Sequence, residues 1–224
     1  MDPLIVTLPS PLLGPAVWQP VVEVLTRRGW QVTTAAHASV APVNSPDVLR
    51  EFLGAVPLDR AVVLVAHSNA GLYVPALVQQ RTVVASVFVD AGLPESDWVP
   101  VAAPGLVEFL RPLADSSGLL PGWTNWWDES DLEGLFPSAL TRARVEDEQR
   151  RLPLTYFQET LPVPVGWADC PGAYLAFGDT YAVEREAPRA RGWPVTTLPG
   201  EHLHMLIAPE QVASAIEDLL KVVL

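Results

Sequence analysis

Residues 61–71 read Ala61-Val62-Val63-Leu64-Val65-Ala66-His67-Ser68-Asn69-Ala70-Gly71. The first six are apolar without alternation, which is the signature of a strand buried on both faces. Such strands sit in the middle of parallel sheets. The run ends abruptly at His67-Ser68-Asn69, and residues 69–80 take up a helical pattern. Pro75 inside that pattern predicts a kink. This stretch is therefore a central strand feeding a helix through a sharp turn, with a serine at its apex.

The order of elements on either side agrees. Residues 4–8 form a short apolar strand, and residues 17–28 a helix with Val17, Val21, Val24 and Leu25 on one face, closed by Gly29. A strand at 30–35 and a helix at 48–55 capped by Asp47 follow. Beyond the central strand, residues 83–89 form another buried strand. Regularity then stops between residues 94 and 168, a stretch rich in Pro, Gly, Trp and charge that holds helical fragments and no buried strand. It resumes with a strand at 173–177, a helix at 183–191, a strand at 194–198 and a last helix at 209–220 opened by Pro209. Alternating β and α elements with apolar strands predict an α/β fold. Its sheet has about six mostly parallel strands, with helices on both faces. Residues 1–224 then form one domain, with 94–168 an inserted helical lid over the ligand-binding ends of the strands.

Composition narrows the function. The 224 residues are 49% hydrophobic and 18% charged, as in a globular protein with a full core. Fourteen basic against 26 acidic residues leave a net charge of −12. Such a surface repels phosphate backbones and anionic lipid, so neither nucleic acid nor membrane is an expected partner. The single cysteine, Cys170, permits no internal disulfide. The four histidines show no ligand spacing with carboxylates, and no phosphate loop or dinucleotide fingerprint is present. No metal or cofactor is expected. The start Met1-Asp2-Pro3-Leu4 lacks a basic leader, giving the expectation of a cytoplasmic protein, monomeric or homodimeric.

A serine on a tight strand-to-helix turn needs small residues two before and two after it. Ala66 and Ala70 stand where glycines are usual in a nucleophile elbow. The backbone N–H of Asn69, at the helix start, would face a developing oxyanion. Between the last strand and the last helix lies Gly200-Glu201-His202-Leu203-His204-Met205-Leu206-Ile207-Ala208-Pro209.

With these two motifs and its element order, nearly the whole chain resembles the α/β-hydrolase family. The resemblance implies Ser68 as nucleophile and His202 as general base, with His204 the neighbouring alternative. The triad acid has two candidates. Asp90 ends the strand at 83–89, where some members of the family carry the acid. Asp179 follows the strand at 173–177, but the family's usual spacing after Gly178 falls on Tyr181. Glu184 is a more distant third. The family's second oxyanion donor falls near Pro11 in Pro9-Ser10-Pro11-Leu12-Leu13, and proline has no N–H. Leu12, or Leu13 after a shift of the loop, would have to donate instead.

Leu13 and Trp18 beside that loop, with Trp123, Trp126 and Trp127 in the insert, are candidates for the wall of an apolar pocket. The implied activity is hydrolysis of an ester or thioester of an apolar, aromatic or polyketide-like small molecule through an acyl-enzyme. An acyl transferase, lyase or cyclase of secondary metabolism could use the same constellation. A catalytically silent binding protein is the remaining alternative.

Overall fold

The computed structural model describes residues 3–38, 41–179, 181 and 183–224. The main sheet holds β1 (Leu4–Leu8), β2 (Val32–Thr34), β3 (Val62–Ser68) and β4 (Val83–Ala91). A separate antiparallel ribbon, β5 (Trp98–Pro100) and β6 (Thr160–Pro162), comes next in the chain. The last two strands, β7 (Gly172–Phe177) and β8 (Val195–Leu198), return to the main sheet. Its order is β2-β1-β3-β4-β7-β8, and every pairing is parallel. All seven residues of β3 are buried, the apolar Val62–Ala66 as a central strand requires and His67 and Ser68 with them.

The chain steps once to the left, from β1 to β2, and thereafter only to the right. Right-handed crossovers then send the connecting helices to opposite faces. Gln19–Arg27 packs with the final helix Pro209–Val223 on one face. On the other, Ser45–Ala55 packs with Val74–Gln80. Arg28 ties the first pair together through Glu210 and Glu217. Gly29 ends Gln19–Arg27 at a φ of 98°, which a side chain would resist.

Three local details depart from the sequence reading. The helix at 45–55 is capped by Asn44, whose side chain accepts from the Asp47 N–H; Asp47 sits inside the first turn and pairs with Arg50. The stretch at 69–80 is no kinked helix. It is a 3-10 turn, Asn69–Tyr73, followed by a fresh helix, Val74–Gln80, with Pro75 in its first turn, where the missing N–H costs nothing. The insert, which holds no buried strand, has two short and largely exposed ones that the sequence reading did not include. The β5–β6 ribbon closes its base, and short helices between the two strands carry the tryptophans. Among the described residues no helix is long and apolar enough to cross a membrane.

The insert is fastened to the body by polar contacts. Arg150, buried at 8% side-chain exposure, donates from one guanidinium nitrogen to both carboxylate oxygens of Glu51 and from another to the Ala38 carbonyl. Its own N–H donates to the Leu12 carbonyl, and the Glu148 carboxylate accepts from the Ala16 N–H. The loop after β1 is thus held by the end of the insert's helix Ala139–Glu148.

Candidate active site

Ser68 ends β3 with φ 59° and ψ −132°. Asp90, near the end of β4, has φ 43°. These are the two non-glycine residues of positive φ among those described. Such conformations cost of order 1–3 kcal/mol each and persist where the surroundings enforce them. The enforcement is visible at both. His67 pairs with Val89 but Ser68 pairs with Ala91, so Asp90 is an extra, bulged residue beside the elbow. The Gly92 N–H donates to the Ser68 carbonyl at 3.1 Å. The Tyr174 hydroxyl donates to the Ala91 carbonyl and accepts from the Ala91 N–H, holding the bulge from the β7 side. Ala66 and Ala70 are fully buried beneath the turn. Gly71 lies so close to β4 that a Cβ there would stand 2.2 Å from the Gly92 carbonyl oxygen.

The bulge aims Asp90 across the sheet. One carboxylate oxygen accepts from the Phe177 N–H at 3.0 Å, and the other meets His202 Nδ1 at 2.7 Å. An ionised carboxylate accepts here, so Nδ1 carries the proton and Nε2 is left free as a base. The carboxylate is dry, at 1% side-chain exposure. His202 is flanked by the rings of His67, at 4.5 Å between centroids, Tyr181 at 5.6 Å and Trp123 at 6.2 Å. His67 is fully buried and donates through Nε2 to the His202 carbonyl at 3.0 Å, which fixes the histidine loop. Burial first, and the neighbouring His202 second, hold the His67 pKa well below its ordinary value, so it is neutral near pH 7.

Asp179 is elsewhere. Its side chain is 95% exposed and pairs with Arg185. A carboxylate in that position neither orients His202 nor escapes water. His204 is turned away from the site, its ring packed on Phe177 and against Gly200. Tyr181, at the spacing where the family's acid was expected, places its hydroxyl 3.3 Å from Ser68 Oγ.

The loop after β1 places Pro11 in a tight turn. The Leu13 N–H donates to the Ser10 carbonyl at 2.9 Å, so residues 10–13 form a turn with Pro11 in its second position, which suits a fixed φ. That bond occupies the Leu13 donor. The Leu12 N–H has only a long contact, 3.4 Å, to Ser10 Oγ. Leu12 lines the cavity beside Ser68 and Asn69. Asn69 is held by its side chain, which donates to the Val101 carbonyl and accepts from the Tyr156 hydroxyl. Tyr156 bonds in turn to Tyr73. This chain of contacts ties the elbow to the insert, and only the backbone of Asn69 had been singled out from sequence.

A cavity of about 790 Å³ opens above Ser68 and His202. Trp123, Trp126 and Trp127 wall it, with Leu72, Leu106 and Phe157 among the apolar groups that complete it. Trp126 packs edge-on to Phe157 and fixes its own N–H on the Pro121 carbonyl. Leu13 and Trp18, expected on this wall, are not there. Both are fully buried in the core, Leu13 because its N–H closes the turn and Trp18 because its ring packs against the buried His67. Asp131, Glu184 and Glu201 are also among the residues that line the cavity; burial raises the Glu184 pKa.

The model of the Alpha/beta hydrolase family matches residues 5–215, and this chain belongs to that family. A comparison with curated proteins finds no match. Among solved structures, an extracellular alpha/beta-hydrolase from a Paenibacillus species superposes with a TM-score of 0.77 at 15% identity, over 97% of this chain and 99% of that one. It is described as sharing structural and functional homology with tobacco salicylic acid binding protein 2. Polyneuridine aldehyde esterase gives 0.70 at 16%, over 98% and 99% of the two chains. The pyrethroid hydrolase PytH gives 0.70 at 19%, over 99% and 98%. At these identities the likeness is one of fold.

Proposed function

We propose that the chain is a serine hydrolase of neutral carboxylic esters or thioesters with an apolar, aromatic or polyketide-like body. One observation carries the reading. Among the described residues the two strained non-glycine ones, Ser68 and Asp90, lie on neighbouring strands; Ser68 and His202 line an aromatic cavity, and the buried Asp90 holds His202 by Nδ1. Strain of this kind gathers at working sites. The cavity volume lies in the range that encloses a drug-sized molecule. The acidic residues on its lining, Asp131, Glu184 and Glu201, disfavour an anionic substrate.

In this mechanism Ser68 Oγ attacks the acyl carbonyl while His202 Nε2 takes its proton. The Asn69 and Leu12 N–H groups stabilise the oxyanion. His202 then returns the proton to the leaving group, and water releases the acyl-enzyme by the same route.

The test is a panel of neutral acyl esters and thioesters, from acetyl to aromatic acyl groups, offered to wild type and Ser68→Ala. The expected result is hydrolysis that depends on Ser68, fastest for aromatic or long acyl bodies. A transient mass increase equal to the acyl group should accompany it. A folded wild type that turns over none of them would contradict the proposal.

A further inference from the structure

The Tyr181 hydroxyl touches the reacting oxygen of the proposed nucleophile, and the mechanism above gives it no task. It is placed, not incidental. The phenol ring stacks on His202 at 5.6 Å with 30° between the planes, and the hydroxyl lies 3.3 Å from Ser68 Oγ. Tyr181 lines the cavity itself. It also stands where the family's usual spacing after Gly178 would put the acid. With Asp90 serving His202 from the other strand, the position after β7 is free to face the substrate.

We propose that Tyr181 is a further catalytic residue, one that donates a hydrogen bond to the leaving-group oxygen as the ester bond breaks. This rests on the serine-hydrolase reading. In the tetrahedral intermediate the leaving-group oxygen shares a carbon with Oγ, so a donor in contact with Oγ reaches it with a small movement. The oxyanion faces Asn69 and Leu12, whereas Tyr181 sits against His202, the group that protonates the leaving oxygen. The bond that breaks is acyl C–O. The electron pair goes to the leaving oxygen, and the proton comes from His202 Nε2. Tyr181 keeps its own proton throughout. Burial, the largest influence on it, pushes the phenol pKa up to about 12, so it is a donor and not a base across the working pH range.

The experiment measures kcat/KM for three esters of one acid, with 4-nitrophenol, phenol and benzyl alcohol as leaving groups of rising basicity. Wild type, Tyr181→Phe and Ser68→Ala are compared. A lost neutral hydrogen bond is worth roughly threefold to tenfold in rate. Tyr181→Phe should therefore lose about tenfold on the benzyl ester and less than about twofold on the nitrophenyl ester, whose leaving group needs little help. The dependence of log kcat/KM on leaving-group basicity should steepen accordingly. Unchanged rates on all three esters would make Tyr181 a spectator and overturn the proposal. An equal loss on all three would overturn it too, because the phenol would then serve the oxyanion or the fold. Both outcomes leave the serine reading standing, provided hydrolysis still needs Ser68. If wild type hydrolyses none of the three in a Ser68-dependent way, the underlying reading itself fails and Tyr181 loses its role with it.

Discussion

Replacing Asp90 by asparagine removes one charge and almost no volume, and the structure sets how much activity it should cost. The carboxylate accepts two hydrogen bonds, from the Phe177 N–H at 3.0 Å and from His202 Nδ1 at 2.7 Å. An amide offers one acceptor and one donor. If its oxygen keeps Phe177, its NH2 faces Nδ1, and the imidazole must switch its proton to Nε2. That tautomer cannot take a proton from Ser68. If the amide turns over, its NH2 opposes the Phe177 N–H, and a buried donor loses its partner. The first arrangement resembles the loss of the triad acid in serine proteases, where kcat falls about 10⁴-fold. We expect a fall in kcat of about 10³ to 10⁴, or roughly 4–5 kcal/mol of transition-state stabilisation. Asp179→Asn, at an exposed pair with Arg185, should stay within about twofold, as surface pairs contribute little. The assay is steady-state hydrolysis of a good ester substrate, with circular dichroism to confirm folding of both variants. An Asp90→Asn enzyme that keeps more than about a tenth of wild-type kcat would refute the assignment, above all if Asp179→Asn loses activity.

Two further predictions concern the scaffold. Gly71→Ala would push a Cβ to 2.2 Å from the Gly92 carbonyl oxygen, with Ala91 Cβ at 3.1 Å and the buried Phe88 ring at 3.2 Å closing the other sides. Overpacking of this kind should cost about 1–3 kcal/mol in urea unfolding and a larger share of activity, because Gly92 also holds the Ser68 carbonyl; unchanged stability and rate would show that the elbow has slack. His67 is neutral in the fold because its pKa lies well below the ordinary histidine value, so below about pH 6.5 the unfolded chain binds a proton the native protein does not. Its contribution is complete above that pH and is lost as pH falls, by up to ~1.4 kcal/mol per pH unit. Unfolding free energies measured between pH 7 and 5 should fall less steeply for His67→Asn than for wild type, whatever the variant's overall stability; parallel slopes would mean His67 is not the group responsible.

The sheet was legible because its strands are buried on both faces, and a residue run such as 61–66 has few other readings. The turn at Ser68 followed from spacing along that frame, and the role of the loop at His202 from the chain's resemblance to the α/β-hydrolase family. What sequence left open were matters of direction. Asp90 and Asp179 both end strands, and only the bulge opposite Ser68, with Tyr174 bracing it, turns Asp90 inward. Leu13 and Trp18 lay beside the right loop, but the turn closed by Ser10 sends both into the core. The three insert tryptophans do line the cavity, whereas the β5–β6 ribbon was missed because three-residue strands leave no periodic trace. Tyr181 carried a signal, an aromatic at the spacing of an acid, whose meaning needed its distance to Ser68.

The central claim is that Ser68 is a nucleophile activated by His202. Intact-mass measurement after exposure to a fluorophosphonate probe tests it most directly, on wild type, Ser68→Ala and His202→Ala. The account predicts a single phosphonyl adduct on wild type, none on Ser68→Ala, and labelling slowed to near background on His202→Ala. A folded wild type that takes no label, or a Ser68→Ala variant labelled as fast as wild type, would contradict it.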